Sequence, residues 1–350
     1  MMESIFNVQQ AELEQTAKSL SVLRELNGKS VMVTGATGLL GTQIAKTLLC
    51  YNRLFGTGIR VVVCGRNESK INDIYGNLPV ERIIADVRSP IHTELPVDYI
   101  IHCASATSSK FFVTNPVDTI QIAIDGTRNL LELALEKHVS GFLYTSSLEV
   151  YGIPPKKDVS ETDYGQIDFL NVRSSYSESK RMAECICKAY EAQYRVPVKI
   201  VRLTQTIGSG IEYRDSRVFA QFAKSVIEKK DIVLNTPGRT VRSYCDITDA
   251  VKGIFTVLLK GKAGDAYNIA NMNTVISIAD MAKMVCATNQ DAGIKVVFNV
   301  PENIDSFGYN PEMQINLNSE KLQELGWKAE VGLEDMFNKL IVSLREKRNK

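Results

Sequence analysis

The sequence predicts an α/β protein built on a doubly wound parallel sheet, with a smaller C-terminal substrate-binding lobe. Short apolar runs of strand character alternate with helical patterns from residue 30 to residue 203, the rhythm of parallel strands joined by right-handed crossover helices. A glycine-rich turn, Gly35-Ala36-Thr37-Gly38-Leu39-Leu40-Gly41, separates the first run from the first long helical pattern. The chain has 350 residues, 44% of them hydrophobic, which is enough for one large core or two lobes.

Taken in order, residues 8–27 place Leu13, Ala17, Leu20 and Leu23 at helical spacing and stop at Asn27-Gly28, so 1–28 reads as a helical extension. Strands are expected at 30–34, 59–64, 82–85, 99–103, 141–145 and 198–203, with helices at 39–51, 68–75, 117–137 and 174–194. Beyond 204 the rhythm loosens into loops at Gly208 to Gly210 and Thr236-Pro237-Gly238, further helices, and a basic, exposed C-terminal helix near 332–348. The expected division is a dinucleotide-binding domain over 29–204, to which 244–271 return, and a substrate-binding lobe made of 205–243 and 272–350.

Charge and composition narrow the function. Forty-one Lys and Arg against 40 Asp and Glu leave a net charge of +1, which argues against a nucleic-acid or anionic-membrane partner. The N-terminus lacks the pattern of a secretory signal and no apolar run reaches membrane-spanning length, so a cytoplasmic protein is expected. Seven scattered cysteines and three histidines (His92, His102, His138) show no ligand-like spacing, so neither disulfides nor a metal site are expected, and Cys185 and Cys187 read as ordinary buried thiols.

The glycine turn allows backbone N–H groups to approach a pyrophosphate at a helix N-terminus, so Gly35, Thr37, Gly38, Leu39, Leu40 and Gly41 are candidate cofactor-binding residues. Asp86 and Val87, directly after the third strand, suit the adenine edge, and Ala104 and Ser105 follow the fourth. The second strand ends Cys64-Gly65-Arg66-Asn67 rather than on the acid that hydrogen-bonds the ribose of NAD. NAD is the expected cofactor, and Arg66 leaves NADP open.

Of thirteen tyrosines only Tyr176 has a lysine four residues later, Lys180, and a helix puts both on one face. Ser147 ends the fifth strand, where the nicotinamide of such a cofactor belongs. Oxidising a hydroxyl needs a base. A tyrosine with a reference pKa of about 10 must be lowered by roughly 3 units, about 4 kcal/mol, and Lys180 offers the charge to do it.

The segments TGATGLLG (34–41), IIHCASA (100–106), YTSSLEVYG (144–152), the YxxxK of Tyr176 and Lys180, and RSYCDITDA (242–250) resemble the extended short-chain dehydrogenase/reductase family, in particular its nucleotide-sugar epimerase/dehydratase branch. The likeness runs from about residue 29 to about 345. It implies a Rossmann fold, bound NAD(P), a nucleoside-diphosphate sugar as substrate and a homodimer formed through two helices from each subunit. It also implies that Ser147, Tyr176 and Lys180 are catalytic, with Lys180 also holding the nicotinamide ribose.

Within the branch the motifs are most similar to those of the UDP-glucuronate decarboxylases: the arginine-led segment from Arg173 to Arg181, the loop Asp215-Ser216-Arg217-Val218, and Val241-Arg242-Ser243-Tyr244. The resemblance makes Arg173, Arg217 and Arg242 substrate-binding candidates, the last two for the diphosphate, with Gln205 where the family carries asparagine and Lys110 beside the sugar. Leu148 stands where the 4,6-dehydratases have an acid and the decarboxylases a serine, while the next acid, Glu149, is retained as a catalytic candidate. Decarboxylase, dehydratase, 4-epimerase and NADPH-dependent ketosugar reductase remain as alternatives at this stage.

Overall fold

The computed structural model of the chain describes residues 8–300 and 312–348. After helix α1 (Val8–Ser19) and a short 3-10 turn (Ser21–Leu26), the chain runs β1 (Ser30–Thr34), α2 (Leu39–Phe55), β2 (Arg60–Gly65), α3 (Glu68–Tyr75), β3 (Glu81–Ile84), β4 (Tyr99–His102), α4 (Ser109–Thr114), α5 (Pro116–Glu136) and β5 (Gly141–Ser147). It continues through β6 (Asp158–Val159), α6 (Ser174–Tyr194), β7 (Val198–Leu203), β8 (Gln205–Ile207), α7 (Val218–Glu228), β9 (Ile232–Leu234), β10 (Val241–Asp246), α8 (Ile247–Lys260) and β11 (Ala266–Ile269). The remainder is β12 (Asn271–Ser277), α9 (Ile278–Thr288), β13 (Val296–Phe298), β14 (Gln314–Leu317), α10 (Glu320–Gln323) and α11 (Leu333–Arg348).

Seven parallel strands form the central sheet in the order β11-β7-β5-β4-β1-β2-β3. The period-two alternation of a strand sends Val31, Val33, Val61 and Val63 to a core shared with α2 and α8, and Met32, Val62 and Cys64 to a core shared with α5 and α6. Apolar residues on both faces of each strand thus demand helices on both faces, which is why the runs read as continuous rather than alternating. The order reverses between β1 and β4, so the crevice at their carboxyl ends is where a ligand of such a sheet sits.

A second sheet, β12-β10-β14-β6 with β8 also paired to β10, stands beside the first. β10 runs across the 243/244 boundary drawn from the sequence, α8 then covers the central sheet, and β11 pairs with β7. Arg202 on β7 links the parts: it makes a two-pronged contact with Glu184 of α6, and its guanidinium also donates to the Tyr151 hydroxyl and to the Glu161 carbonyl.

Three local expectations need correction. The leading helix breaks at Leu20, so its second part is the 3-10 turn. The C-terminal helix is not an exposed one: Leu333, Met336, Phe337, Leu340, Ile341 and Leu344 form a buried stripe against α7, and its basic residues are Lys339 in the middle and Arg345, Lys347 and Arg348 in the last turn. Cys185 is exposed while Cys187 is buried, because neighbours two apart on a helix face different ways. Among the described residues no helix is long and apolar enough to cross a membrane, and no three His, Cys, Asp or Glu are grouped to hold a metal.

Candidate active site

The turn from β1 into α2 is built by close approach. Gly35 has φ +64°, and a Cβ there would lie 2.7 Å from the Ala104 backbone nitrogen; a Cβ on Gly41 would lie 2.4 Å from the Gly35 carbonyl oxygen. Only glycine fits either place. Gly38 caps α2 without a side-chain hydrogen bond, so the N–H groups of the first turn, at Leu39, Leu40 and Gly41, have no capping acceptor and face the crevice end of the helix with its positive dipole. That is the donor set a pyrophosphate requires. Thr37 lies against Gly65 at the end of β2, and Ala104 donates its N–H to the Thr34 hydroxyl.

Around this turn the other cofactor candidates follow the strand ends. Asp86, after β3, receives the Arg88 backbone N–H and guanidinium at 2.8–3.1 Å, and Arg88 also holds Asp118 on α5. Arg88 foremost keeps the Asp86 carboxyl below its ordinary range, with Arg66 adding to the effect. Val87 is buried and its carbonyl accepts from Asn129 of α5. Arg66 is exposed at the end of β2, and Ser105 sits in the segment after β4.

Ser147, Tyr176 and Lys180 converge at the carboxyl end of β5. The Ser147 hydroxyl favours the ionised form of the Tyr176 phenol, while its oxygen accepts the Glu149 N–H at 3.2 Å. Lys180 Nζ donates to the Thr145 carbonyl at 2.8 Å and lies 4.7 Å from the Tyr144 ring centroid and 5.9 Å from that of Tyr176. Burial lowers the Lys180 ammonium to about 8, so it is still mostly charged at neutral pH. Burial, and then the Glu149 carboxylate, push the Tyr176 phenol upward, against smaller lowering effects of Ser147 and Arg173. Phe112 of α4 stacks flat on Tyr176, with ring centroids 4.2 Å apart and an interplanar angle of 8°.

Glu149 is the second residue of the 3-10 turn Leu148–Tyr151 that follows Ser147, and its carboxylate is fully engaged: Arg173 donates from Nη1 at 2.8 Å and Nη2 at 3.0 Å, and Ser177 donates at 3.0 Å. Arg173 is therefore paired with a protein group. Leu148 points the other way, 3% exposed, into a small core with Val150, Tyr151 and Ile315.

The remaining substrate candidates lie on the second lobe and on α4. Gln205 on β8 stands opposite Tyr244 on β10, and Arg242, two residues earlier on β10, buries an Nε that has no hydrogen-bond partner among the described residues. Arg217 caps α7, with Asp215 gripping its guanidinium at 2.6–3.1 Å and the Phe219 ring 4.7 Å away. Lys110 is exposed on α4, with no ion pair to it among the described residues.

The model of the NAD dependent epimerase/dehydratase family matches residues 31–270, a span that holds the glycine turn and the Ser147, Tyr176 and Lys180 group. The chain belongs to that family. NAD is accordingly its cofactor. Among curated relatives, UDP-glucuronic acid decarboxylase 6 of Arabidopsis thaliana is 30% identical over 87% of this chain and 85% of its own length, and UDP-glucuronic acid decarboxylase 1 of Danio rerio is 29% identical over 95% and 77%. A dTDP-glucose 4,6-dehydratase from Streptomyces venezuelae, solved with NAD bound, superposes with a TM-score of 0.76 over 91% of this chain and 98% of its own, at 20% identity.

For this member of the epimerase/dehydratase family, the sequence reading missed three contributors to the site. Arg88 could have been suspected from its place two residues after Asp86, where a carboxylate readily accepts the backbone N–H of a turn. Ser177 and the Thr145 carbonyl carry no local signal, since what they touch is distant in the chain.

Proposed function

We propose that this chain is a UDP-glucuronate decarboxylase that works by transient oxidation at C4 of the sugar. The observation that carries the specific reaction is Leu148. Eliminating water from a 4-keto hexose needs an acid for the departing hydroxyl, and the side chain at this position is apolar and sealed in a core. Loss of carbon dioxide needs no such acid, and the decarboxylase relatives match the chain nearly end to end.

In this reading the Tyr176 phenolate takes the proton of the C4 hydroxyl while Ser147 donates a hydrogen bond to the same oxygen, and the Lys180 ammonium stabilises the phenolate. When bound, NAD would supply the hydride acceptor and donor chemistry at C4 that the transient oxidation requires. The resulting 4-ketone is β to the carboxylate on C5, so the C5–carboxylate bond breaks with its electron pair delocalised into the C4 oxygen, and C5 is then protonated. Arg217 and Arg242 hold the diphosphate, Gln205 and Lys110 face the sugar, and Gly35, Thr37, Gly38, Leu39, Leu40, Gly41, Arg66, Asp86, Val87, Ala104 and Ser105 hold the cofactor. The unpaired Arg242 Nε supports the first of these roles, because a buried guanidinium nitrogen without a partner favours an anion.

The protein is proposed to act as a cytoplasmic homodimer. Exposed Val117 and Ile120 on α5, Met182 on α6, and Phe169 beside them support an apolar contact between copies across these two helices. Incubating the purified protein with UDP-glucuronate, UDP-glucose and dTDP-glucose, followed by mass spectrometry, tests the reaction. UDP-pentose or its 4-keto form with carbon dioxide from the uronate is expected. Loss of water from a hexose, or an unchanged uronate, overturns it.

A further inference from the structure

The start of α6 concentrates its polar groups on one carboxylate. Arg173, at the N-cap of α6, covers both oxygens of Glu149, Ser177 covers one of them again, and Ser175 donates instead to the Phe112 carbonyl at 3.1 Å. The Arg173 guanidinium carbon lies 5.6 Å from the centroid of the Phe112 ring, whose plane is stacked on Tyr176. The side chains of Arg173 and Glu149 are only 18% and 20% exposed, so water screens their charges poorly.

A planar guanidinium that meets a carboxylate with two parallel hydrogen bonds fixes its orientation as well as its charge. Without that partner, a bare carboxylate would stand in the same cleft as the tyrosine that must lose a proton, and like charges close together resist ionisation. The helix N-terminus alone offsets too little of this.

We propose that Arg173 is a positioning residue, one that clamps Glu149 and backs the Phe112–Tyr176 stack so that the tyrosine base ionises beside a paired carboxylate instead of a bare one. This role differs from the substrate contact that the family resemblance assigns to Arg173, since its donors on Glu149 are already committed. The inference rests on the proposed use of Tyr176 as base. Its pKa direction agrees: Glu149 raises the Tyr176 phenol and Arg173 lowers it.

Ultraviolet difference titration of the NAD-loaded protein at the phenolate band, with Tyr176→Phe as the subtraction control, reads the ionisation directly and needs no turnover. Arg173→Met should move Tyr176 ionisation up by about one pH unit, and the rising limb of the kcat against pH profile should move with it. Arg173→Met combined with Glu149→Gln should bring both back near the wild-type position, and Arg173→Lys should restore part of the shift, because it returns the charge without the two-pronged geometry. Unchanged ionisation in Arg173→Met with a raised KM for UDP-glucuronate would overturn the proposal in favour of a substrate contact. A shift that the Glu149→Gln change fails to cancel would overturn it too. Absence of any decarboxylated product from the wild type, with the titration shifts intact, would defeat the proposed reaction and leave the role of Arg173 standing.

Discussion

Two arginine–carboxylate pairs of the same chemistry contact α6, one at its N-cap and one midway along it. Arg202 and Glu184 are 8% and 11% exposed, meet at 2.7–3.2 Å, and are closed in by Tyr151 and the Glu161 carbonyl. Arg173 and Glu149 meet with the same two-pronged geometry, but at the rim of the cleft. An enclosed pair that loses one member leaves a charge with nowhere to be solvated, whereas a rim pair can turn to water. The first therefore bears on whether the two sheets stay joined, and the second on what the neighbouring tyrosine can do.

The largest expected effect tests the enclosed side. Arg202→Ala should lower stability by about 3 to 5 kcal/mol in urea unfolding, while Arg173→Met should cost under about 1 kcal/mol. Similar losses at the two sites would erase the contrast. On the catalytic side, Tyr176→Phe should leave the unfolding midpoint almost unmoved and reduce turnover by a factor of about 100 or more. Activity within threefold of wild type would remove the tyrosine from the chemistry.

A third carboxylate sharpens the comparison, because it is enclosed with only a distant cation. Asp246 caps α8 through Oδ1, its Oδ2 has no hydrogen-bond partner among the described residues, and Lys339 approaches no nearer than 3.9 Å, while Glu12 of α1 competes for the same lysine at 3.1 Å and also accepts from Ser209. Burial raises the Asp246 carboxyl to about 6. A group whose pKa is higher folded than unfolded adds stability below the unfolded value and loses that contribution as pH climbs through about 6. Asp246→Asn keeps a capping oxygen and mimics the protonated form. Its advantage over wild type should grow between pH 5 and pH 8 to about 1 to 3 kcal/mol, and a constant gap would show that Asp246 does not titrate there.

The smallest effect is at the ribose. Arg66 is exposed and makes no salt bridge among the described residues, so Arg66→Ala should weaken NAD only several-fold, and should weaken NADP more if the side chain meets a 2′-phosphate. Calorimetric titration with both cofactors decides this, and equal losses would reduce Arg66 to a stacking or solvated group.

Much of the central sheet could be read in advance because its signals are local. Strand ends at Thr34, Leu203 and helix limits at Ser174 and Tyr194 agree with the periodicity, and β5 runs on to Ser147 only because its last residues pair with β7. The second lobe was less legible. Its strands are short, pair across long loops and mix directions, so β8, β10 and β14 carry little pattern of their own. In α11 the charges near the end masked an apolar stripe whose meaning depends on α7 lying opposite.

What the sequence by itself determined is whatever a few consecutive residues decide: the glycine turn into α2, the Tyr176 and Lys180 face of α6, and the reversal of strand and helix that makes a doubly wound sheet. Spacing alone specifies these, because 3.6 residues per turn and alternation along a strand hold wherever the segment lies. The tertiary structure alone decided which charges meet. Glu149 finds Arg173 24 residues on, Asp86 is shared out with Asp118 through Arg88, Glu12 reaches Lys339 across the length of the chain, and Arg242 is left with a buried nitrogen unpaired. Charge pairing depends on distance and on the water excluded between groups, and both quantities exist only once distant segments have packed.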